Sequence, residues 1–350
     1  KGDFLARYFD AGMALVRDVV RTPTFDPAEA DKIRPELLAL LKQQEDSLPS
    51  LAFREFNRAL FQGHPYGLNT VGSEEVLAHM ETSELKKLYE EYARPDRMVI
   101  AVAGAVEVEQ VHKVIVDLFG DWQVGKDAPA EEVEEILPPD PPLSPKIVNI
   151  DRDKEQVHLI IGFLGATLIS EDRYALEVLD TALSGQSGRL FTQLRDKQSL
   201  AYSLSSFSLQ GLDTGSFGIY IGTSPDKKAE AVKAMWRELY RVREEPIGEV
   251  ELQRAKNVVI GHYELGLQTH SAQALEAALD ETYDLGLDFG TRYVRAVEAV
   301  TAEQVREVAR KYIQPDNYVM VSVGAESTPI TVEGKTATPA AADTPIKEEE

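Results

Sequence analysis

The sequence predicts an α+β protein made of two related domains. Three observations predict it. Amphipathic helical runs alternate with short β-branched runs along the chain. One set of elements recurs in the same order at an offset of 220 to 222 residues. Between the copies lies an acidic, proline-rich stretch with neither a helical nor a strand period.

In chain order, residues 8–21 read as an amphipathic helix, and Phe25-Asp-Pro-Ala-Glu29 opens a second over 30–44. Residues 83–92 (SELKKLYEEY) read as a helix that Pro95 stops, and the β-branched run ending at Gly104 reads as a strand. Beyond the linker, 146–150 and 156–163 alternate like strands, and 171–184 reads as a helix. A Gly-Ser turn and a short helix follow, then strands over 201–209 and 215–222. Helices over 228–242, 252–267 and 301–312 precede Pro315 and a last strand ending at Gly324.

The repeat is legible residue by residue. Tyr92, Pro95, Asp96, Val99 and Gly104 match Tyr312, Pro315, Asp316, Val319 and Gly324 at an offset of 220. The helix openings at Phe25 and Ile247 lie 222 apart. The first-copy counterparts of 146–222 would fall before Lys1, so the first domain is expected to be incomplete in this chain. The expected organisation is the back part of a first domain over 1–120, a linker over 121–145, a complete second domain over 146–324 and a disordered tail over 325–350.

Composition narrows the function classes. The 350 residues hold 37 Lys+Arg against 59 Asp+Glu, a formal net charge of −22. Linker and tail together carry 13 acids and 3 bases, so ten of those charges lie outside the expected domains. An acidic surface repels a phosphate backbone and excludes broad nucleic-acid contact. The absence of cysteine excludes disulfides, thiol nucleophiles and cysteine-ligated metals. No apolar run is long enough for a membrane helix. Export to the periplasm or medium is the favoured compartment, from the Thr/Pro/Ala-rich tail and the lack of cysteine.

Several strings resemble one family. In the first copy they are Pro23-Thr-Phe25, Leu60-Phe-Gln-Gly-His64-Pro65-Tyr66-Gly67, Tyr92-Ala-Arg-Pro95-Asp96 and Val102-Ala-Gly104. In the second they are Leu183-Ser-Gly185-Gln-Ser187-Gly-Arg189-Leu190-Phe191 and Leu194-Arg195-Asp-Lys-Gln-Ser-Leu-Ala201-Tyr202. These strings are similar to the pitrilysin, insulysin and mitochondrial processing peptidase family of zinc metallopeptidases, from residue 1 to about 324. The resemblance implies two related domains per half, each a mostly antiparallel sheet with helices packed on one side, and two halves enclosing a chamber in which the peptide substrate is captured as an added strand on a sheet edge. It also implies a zinc helix of the form His-x-x-Glu-His with a further Glu downstream, the two His sharing one helix face.

That zinc motif is absent. The six histidines are His64, His79, His112, His158, His262 and His270, and no two stand four apart. Its helix would match 171–184 of the second copy and lie upstream of Lys1. The downstream ligand position falls on Leu40, and Glu36 lies one turn earlier on roughly the same face. Zinc is therefore expected in the assembled enzyme, and this chain alone is expected to bind none.

Arg195 and Tyr202 are the candidate catalytic residues, since the resemblance places this pair against the scissile region of the substrate. A hydroxyl and a cation can stabilise negative charge developing on the attacked carbonyl oxygen. The bland alternative is a local salt bridge and an ordinary strand tyrosine. Structural roles are expected elsewhere: a tight turn at Gly185, Ser187 and Gly188, a loop anchor at His64, and structural or surface positions for His112, His158 and His262. Trp122 and Trp236 are read as packing residues, and Glu131 to Glu135 as solvated linker.

The leading expectation is peptide binding and processing as the Arg/Tyr half of a zinc peptidase. Its substrate would be a peptide or unfolded protein, and it would form a homo- or heterodimer with a zinc-bearing half. A non-catalytic structural subunit of the same fold is the alternative.

Overall fold

A computed structural model describes residues 1–123 and 136–325, together with a short antiparallel pairing of Thr331–Val332 with Lys335–Thr336. The charged run at Glu131 to Glu135 and most of the expected tail lie outside the described residues.

The helices of the first half are α1 (Phe9–Arg21), α2 (Pro27–Asp46), α3 (Leu48–Leu60), α4 (Glu74–His79), α5 (Thr82–Tyr92) and α6 (Val108–Phe119). Ser47 ends the long amphipathic run by capping α3, its hydroxyl accepting the Ser50 N–H, with Pro49 in the first turn. The second half contains β1 (Lys146–Asp151), β2 (Val157–Gly165), α7 (Asp172–Leu183), β3 (Ser203–Leu209), β4 (Gly215–Thr223), α8 (Lys228–Glu244), α9 (Glu249–Gly266), α10 (His270–Thr282), α11 (Phe289–Ala299), α12 (Ala302–Tyr312) and β5 (Val319–Gly324).

The strands form one five-stranded sheet in the order β1-β5-β2-β4-β3, antiparallel except for the β1–β5 pair. Side chains alternate across it, so each strand feeds two layers. Ile160, Val319, Val321, Val323 and Tyr220 meet Leu51, Phe56 and Leu60 of α3 on one face. Phe163 and Tyr318 point the other way, where Trp236 of α8 packs edge-on against both. The helices that accompany the sheet in sequence, α7, α8 and α12, cover this second face. The first face belongs to α3, a helix of the first copy.

Compactness therefore divides the chain differently from the boundaries at 120 and 146. One unit gathers Lys1–Leu41, Val71–Glu135 and Val258–Glu298; the other gathers Lys42–Thr70, Ile136–Asn257 and Ala299–Glu350. The apolar stripe of α3, from Leu48 to Leu60, is buried against the sheet and draws its flanking residues into the second unit.

The repeat is visible in backbone detail. Helices α5 and α12 are each 11 residues long, 220 positions apart. The Glu84 carboxylate accepts from the Glu81 N–H at 2.9 Å, and the Gln304 side-chain oxygen accepts from the Thr301 N–H at 2.9 Å, so both starts are capped alike. Gly104 and Gly324 both take left-handed φ values, 151° and 140°. The strand expected before Gly104 is not formed. Residues 98–103 leave Met98 in extended geometry but pair with nothing, because the first unit holds no other strand among the described residues. A β conformation without a ladder leaves its N–H and C=O groups to solvent and is not a strand.

Candidate functional site

The segment from Gly185 to Tyr202 carries the candidate pair, and each part of it is held. Gly185 turns with φ +78°, and a Cβ at Gly188 would lie 2.0 Å from the Ser184 carbonyl oxygen, so both positions require glycine. The turn is therefore structural. Arg189 then crosses to α9, donating two hydrogen bonds to the Glu251 carboxylate at 2.7 and 2.8 Å. Glu251 raises the Arg189 pKa above its ordinary range through these bonds. The short helix expected next is a π-helical turn over Phe191–Asp196, a rare geometry often found at functional sites.

Arg195 ends this turn. Its guanidinium lies over the Phe191 ring at 4.9 Å and, among the described residues, has no ion-pair or hydrogen-bonding partner. The loop that follows folds back on the turn: Ser199 and Leu200 donate their N–H groups to the carbonyls of Arg195 and Leu194, at 2.9 and 2.8 Å. Ser199 sits at φ +51°, a conformation that strains a residue with a Cβ, and Lys227 donates to its carbonyl at 2.8 Å. Leu200 is buried, and Tyr202 donates its N–H to Gly222 of β4 at 2.9 Å. The backbone of Tyr202 is fixed, yet its side chain is 62% exposed.

Beside Tyr202 a polar chain that runs from exposed Ser203 to buried Tyr220 and His158 anchors the start of β3. The Ser203 hydroxyl lies 3.3 Å from the Tyr220 hydroxyl, which lies 2.7 Å from His158 Nδ1. Burial lowers the His158 pKa and keeps the ring neutral, in keeping with a structural role. Midway along β3, Ser206 donates its N–H to the Ser184 hydroxyl at 2.7 Å, and its own hydroxyl bonds the Asp180 carboxyl. This blocks one position of the outer edge of β3. Burial pushes the Asp180 pKa up to about 6 against the Ser206 hydrogen bond, and the nearby Glu177 charge adds to the rise.

His64 proves to be a clamp. Its Nδ1 accepts the Tyr66 N–H at 3.2 Å and its Nε2–H donates to Asp213 at 3.2 Å, with the ring almost fully buried. Tyr66 in turn accepts the Leu212 N–H at 2.9 Å, so the Leu60–Gly67 motif fastens the end of α3 to the β3–β4 turn. Trp236 packs in the core, Trp122 lies beside Arg21 at 5.7 Å, and His112 and His262 are exposed.

Zinc finds no fit here. Among the described residues no group of three or more His, Asp or Glu side chains is placed to hold a metal. Leu40 and Glu36 both lie on exposed stretches of α2, and His64 is committed to Asp213.

Comparison with known proteins defines first the class and then the family. The fold is that of a solved protease from Helicobacter pylori, with TM-score 0.82 at 19% identity, over 91% of this chain and 77% of that one. It is also that of a chain in Complex III2 from Candida albicans, with TM-score 0.76 at 18% identity, over 92% and 78%. A family described as "Peptidase M16 inactive domain" matches residues 79–259, more than half of the chain. An uncharacterized zinc protease of Mycobacterium bovis is 30% identical over 305 residues, 85% of this chain and 67% of that protein. The chain belongs to the peptidase M16 family, the family its motifs resemble, and spans about two thirds of that relative's length. Among the described residues, no helix is long and apolar enough to cross a membrane.

Proposed function

We propose that this chain binds peptides and supports their hydrolysis as the Arg/Tyr-bearing half of a zinc metallopeptidase. The His-x-x-Glu-His helix would lie upstream of Lys1 or on a partner subunit of a homo- or heterodimer. The observation that supports this reading most is the state of two arginines six residues apart. Arg189 is held by Glu251 through two hydrogen bonds, whereas Arg195 and Tyr202 are fixed at the backbone and exposed at the side chain. A fold that needed Arg195 for stability would have paired it.

In this reading Arg195 and Tyr202 donate to the substrate carbonyl oxygen as it gains negative charge. Their backbone supports fix where each side chain starts, and both exposed side chains are left able to reach a bound substrate. Zinc would be supplied by residues outside this chain, as suggested by relatives named zinc proteases. The substrate would be a peptide or unfolded protein, and the compartment would be periplasmic or extracellular. The test is kcat/KM on a quenched peptide for the assembled enzyme carrying Arg195→Ala or Tyr202→Phe. Loss of an oxyanion donor typically costs about a hundredfold or more; unchanged turnover in both variants would overturn the assignment.

A second reading, a structural subunit without activity, is favoured by Leu40 at the expected ligand position. The fold also serves in Complex III2 of Candida albicans. No zinc and no turnover in the assembled protein would select it.

A further inference from the structure

Given the catalytic reading of Arg195 and Tyr202, on which this rests, we propose that Lys227 and Gln198 are positioning residues for that pair. They hold the chain between Arg195 and Tyr202 in the geometry that lets both side chains serve one substrate carbonyl. Fully extended, the seven steps from Arg195 to Tyr202 would span about 23 Å, too far for both side chains to reach a single oxygen. The chain must turn back, and it does so at Ser199. Its φ of +51° lies in the left-handed region that ordinarily takes glycine. The reversal returns the Leu200 N–H to the Leu194 carbonyl at 2.8 Å, with both leucines buried, and delivers the Tyr202 N–H to Gly222 of β4.

A serine in this conformation is disfavoured and persists only where its surroundings hold it. Two side chains supply the hold. Lys227 donates to the Ser199 carbonyl at 2.8 Å. The protein has 59 acids to 37 bases, yet among the described residues this lysine forms no ion pair and directs its donor to a backbone oxygen. Gln198 grips the neighbouring position. Its Nε2 donates to the Gln193 carbonyl of the π-helical turn at 2.6 Å, and its Oε1 accepts from Arg237 at 3.1 Å.

Both anchors stand on a fixed element. Lys227 directly precedes α8, and Arg237 follows Trp236, whose ring packs against Phe163 and Tyr318 of the sheet. The loop is thereby strapped to a helix seated on the sheet, and a donor mounted on such support is placed more precisely than one on a free loop.

The test uses the chain by itself and the assembled enzyme. In the chain, Lys227→Met should speed deuterium exchange at the Leu200 amide about tenfold, in line with the loss of one hydrogen bond from a charged donor. In the assembled enzyme with a quenched peptide, Lys227→Met should lower kcat about tenfold and leave KM unchanged, because a displaced donor costs transition-state stabilisation rather than peptide affinity. Gln198→Leu should act in the same direction, and Lys227→Arg, which keeps a charged donor, should recover most of the loss. In an Arg195→Ala background Lys227→Met should add little, since the two residues act on one step.

Unchanged kcat in Lys227→Met, with Arg195→Ala impaired, overturns the positioning role and leaves the catalytic reading standing. Unaltered Leu200 exchange, or fully multiplicative losses in the double variant, overturns it too. So does a raised KM at unchanged kcat, which would place Lys227 against the peptide itself. Unchanged turnover in both Arg195→Ala and Tyr202→Phe removes the catalytic reading, and this inference with it.

Discussion

Removing Arg189 or Arg195 should have very unequal consequences for stability, although both are arginines of the same segment. The Arg189 and Glu251 side chains are only 12% and 18% exposed, and their two hydrogen bonds are 2.7 and 2.8 Å long. Arg189→Ala leaves the Glu251 carboxylate facing a vacated, mostly buried space. Breaking a buried pair from one side costs about 3–5 kcal/mol; the remaining solvent access here lowers the expectation to about 2–4 kcal/mol. Arg195→Ala removes only an exposed contact with the Phe191 ring, and a change within about 0.5 kcal/mol is expected. Urea unfolding followed by circular dichroism reads both, with an unchanged m-value confirming that stability alone has moved. A double variant, Arg189→Met with Glu251→Leu, should recover most of the loss because no charge is left unpaired. The reasoning is refuted if Arg195→Ala destabilises as much as Arg189→Ala, since Arg195 would then be a structural residue.

Two further predictions concern the layers that carry the site. The Asp180 pKa is raised to about 6, so its contribution to stability is fully present below its unfolded value and is lost as pH rises through about 6. At about 1.4 kcal/mol per pKa unit, Asp180→Asn should gain up to about 3 kcal/mol on the unaltered protein between pH 4 and pH 7.5; urea midpoints with no pH-dependent difference would refute this. A Cβ at Gly162 would lie 2.4 Å from the Phe56 ring, so Gly162→Ala should cost about 1–3 kcal/mol by overpacking α3 against β2. Adding Phe56→Leu should restore part of that loss in thermal unfolding, and strict additivity of the two changes would count against the contact.

The order of elements was legible because helix and strand periods, proline stops and glycine ends are local features. The matched caps at Glu81 and Thr301, and the left-handed glycines at 104 and 324, show how far local chemistry alone carried the repeat. Arg195 and Tyr202 could be singled out by motif, but spacing could not distinguish the engaged Arg189 from the free Arg195. Glu251 lies 62 residues from Arg189, and no local pattern couples them. His64 is a similar case, since its partner Asp213 is 149 residues away.

The sequence by itself determined the family, the repeat and the identity of most second-half elements, since each rests on periodicity, caps or motif spacing; the helices α10 and α11 went unread. Tertiary structure alone decided which elements share a core. The stripe of α3 carries no mark of the sheet it covers, and only packing joins residues 42–70 to the second unit. Pairing decided the fate of 98–103 as well. Its pattern is that of β5, but a strand is completed by its neighbours, and hydrogen bonds between strands are not written in the residues of one strand.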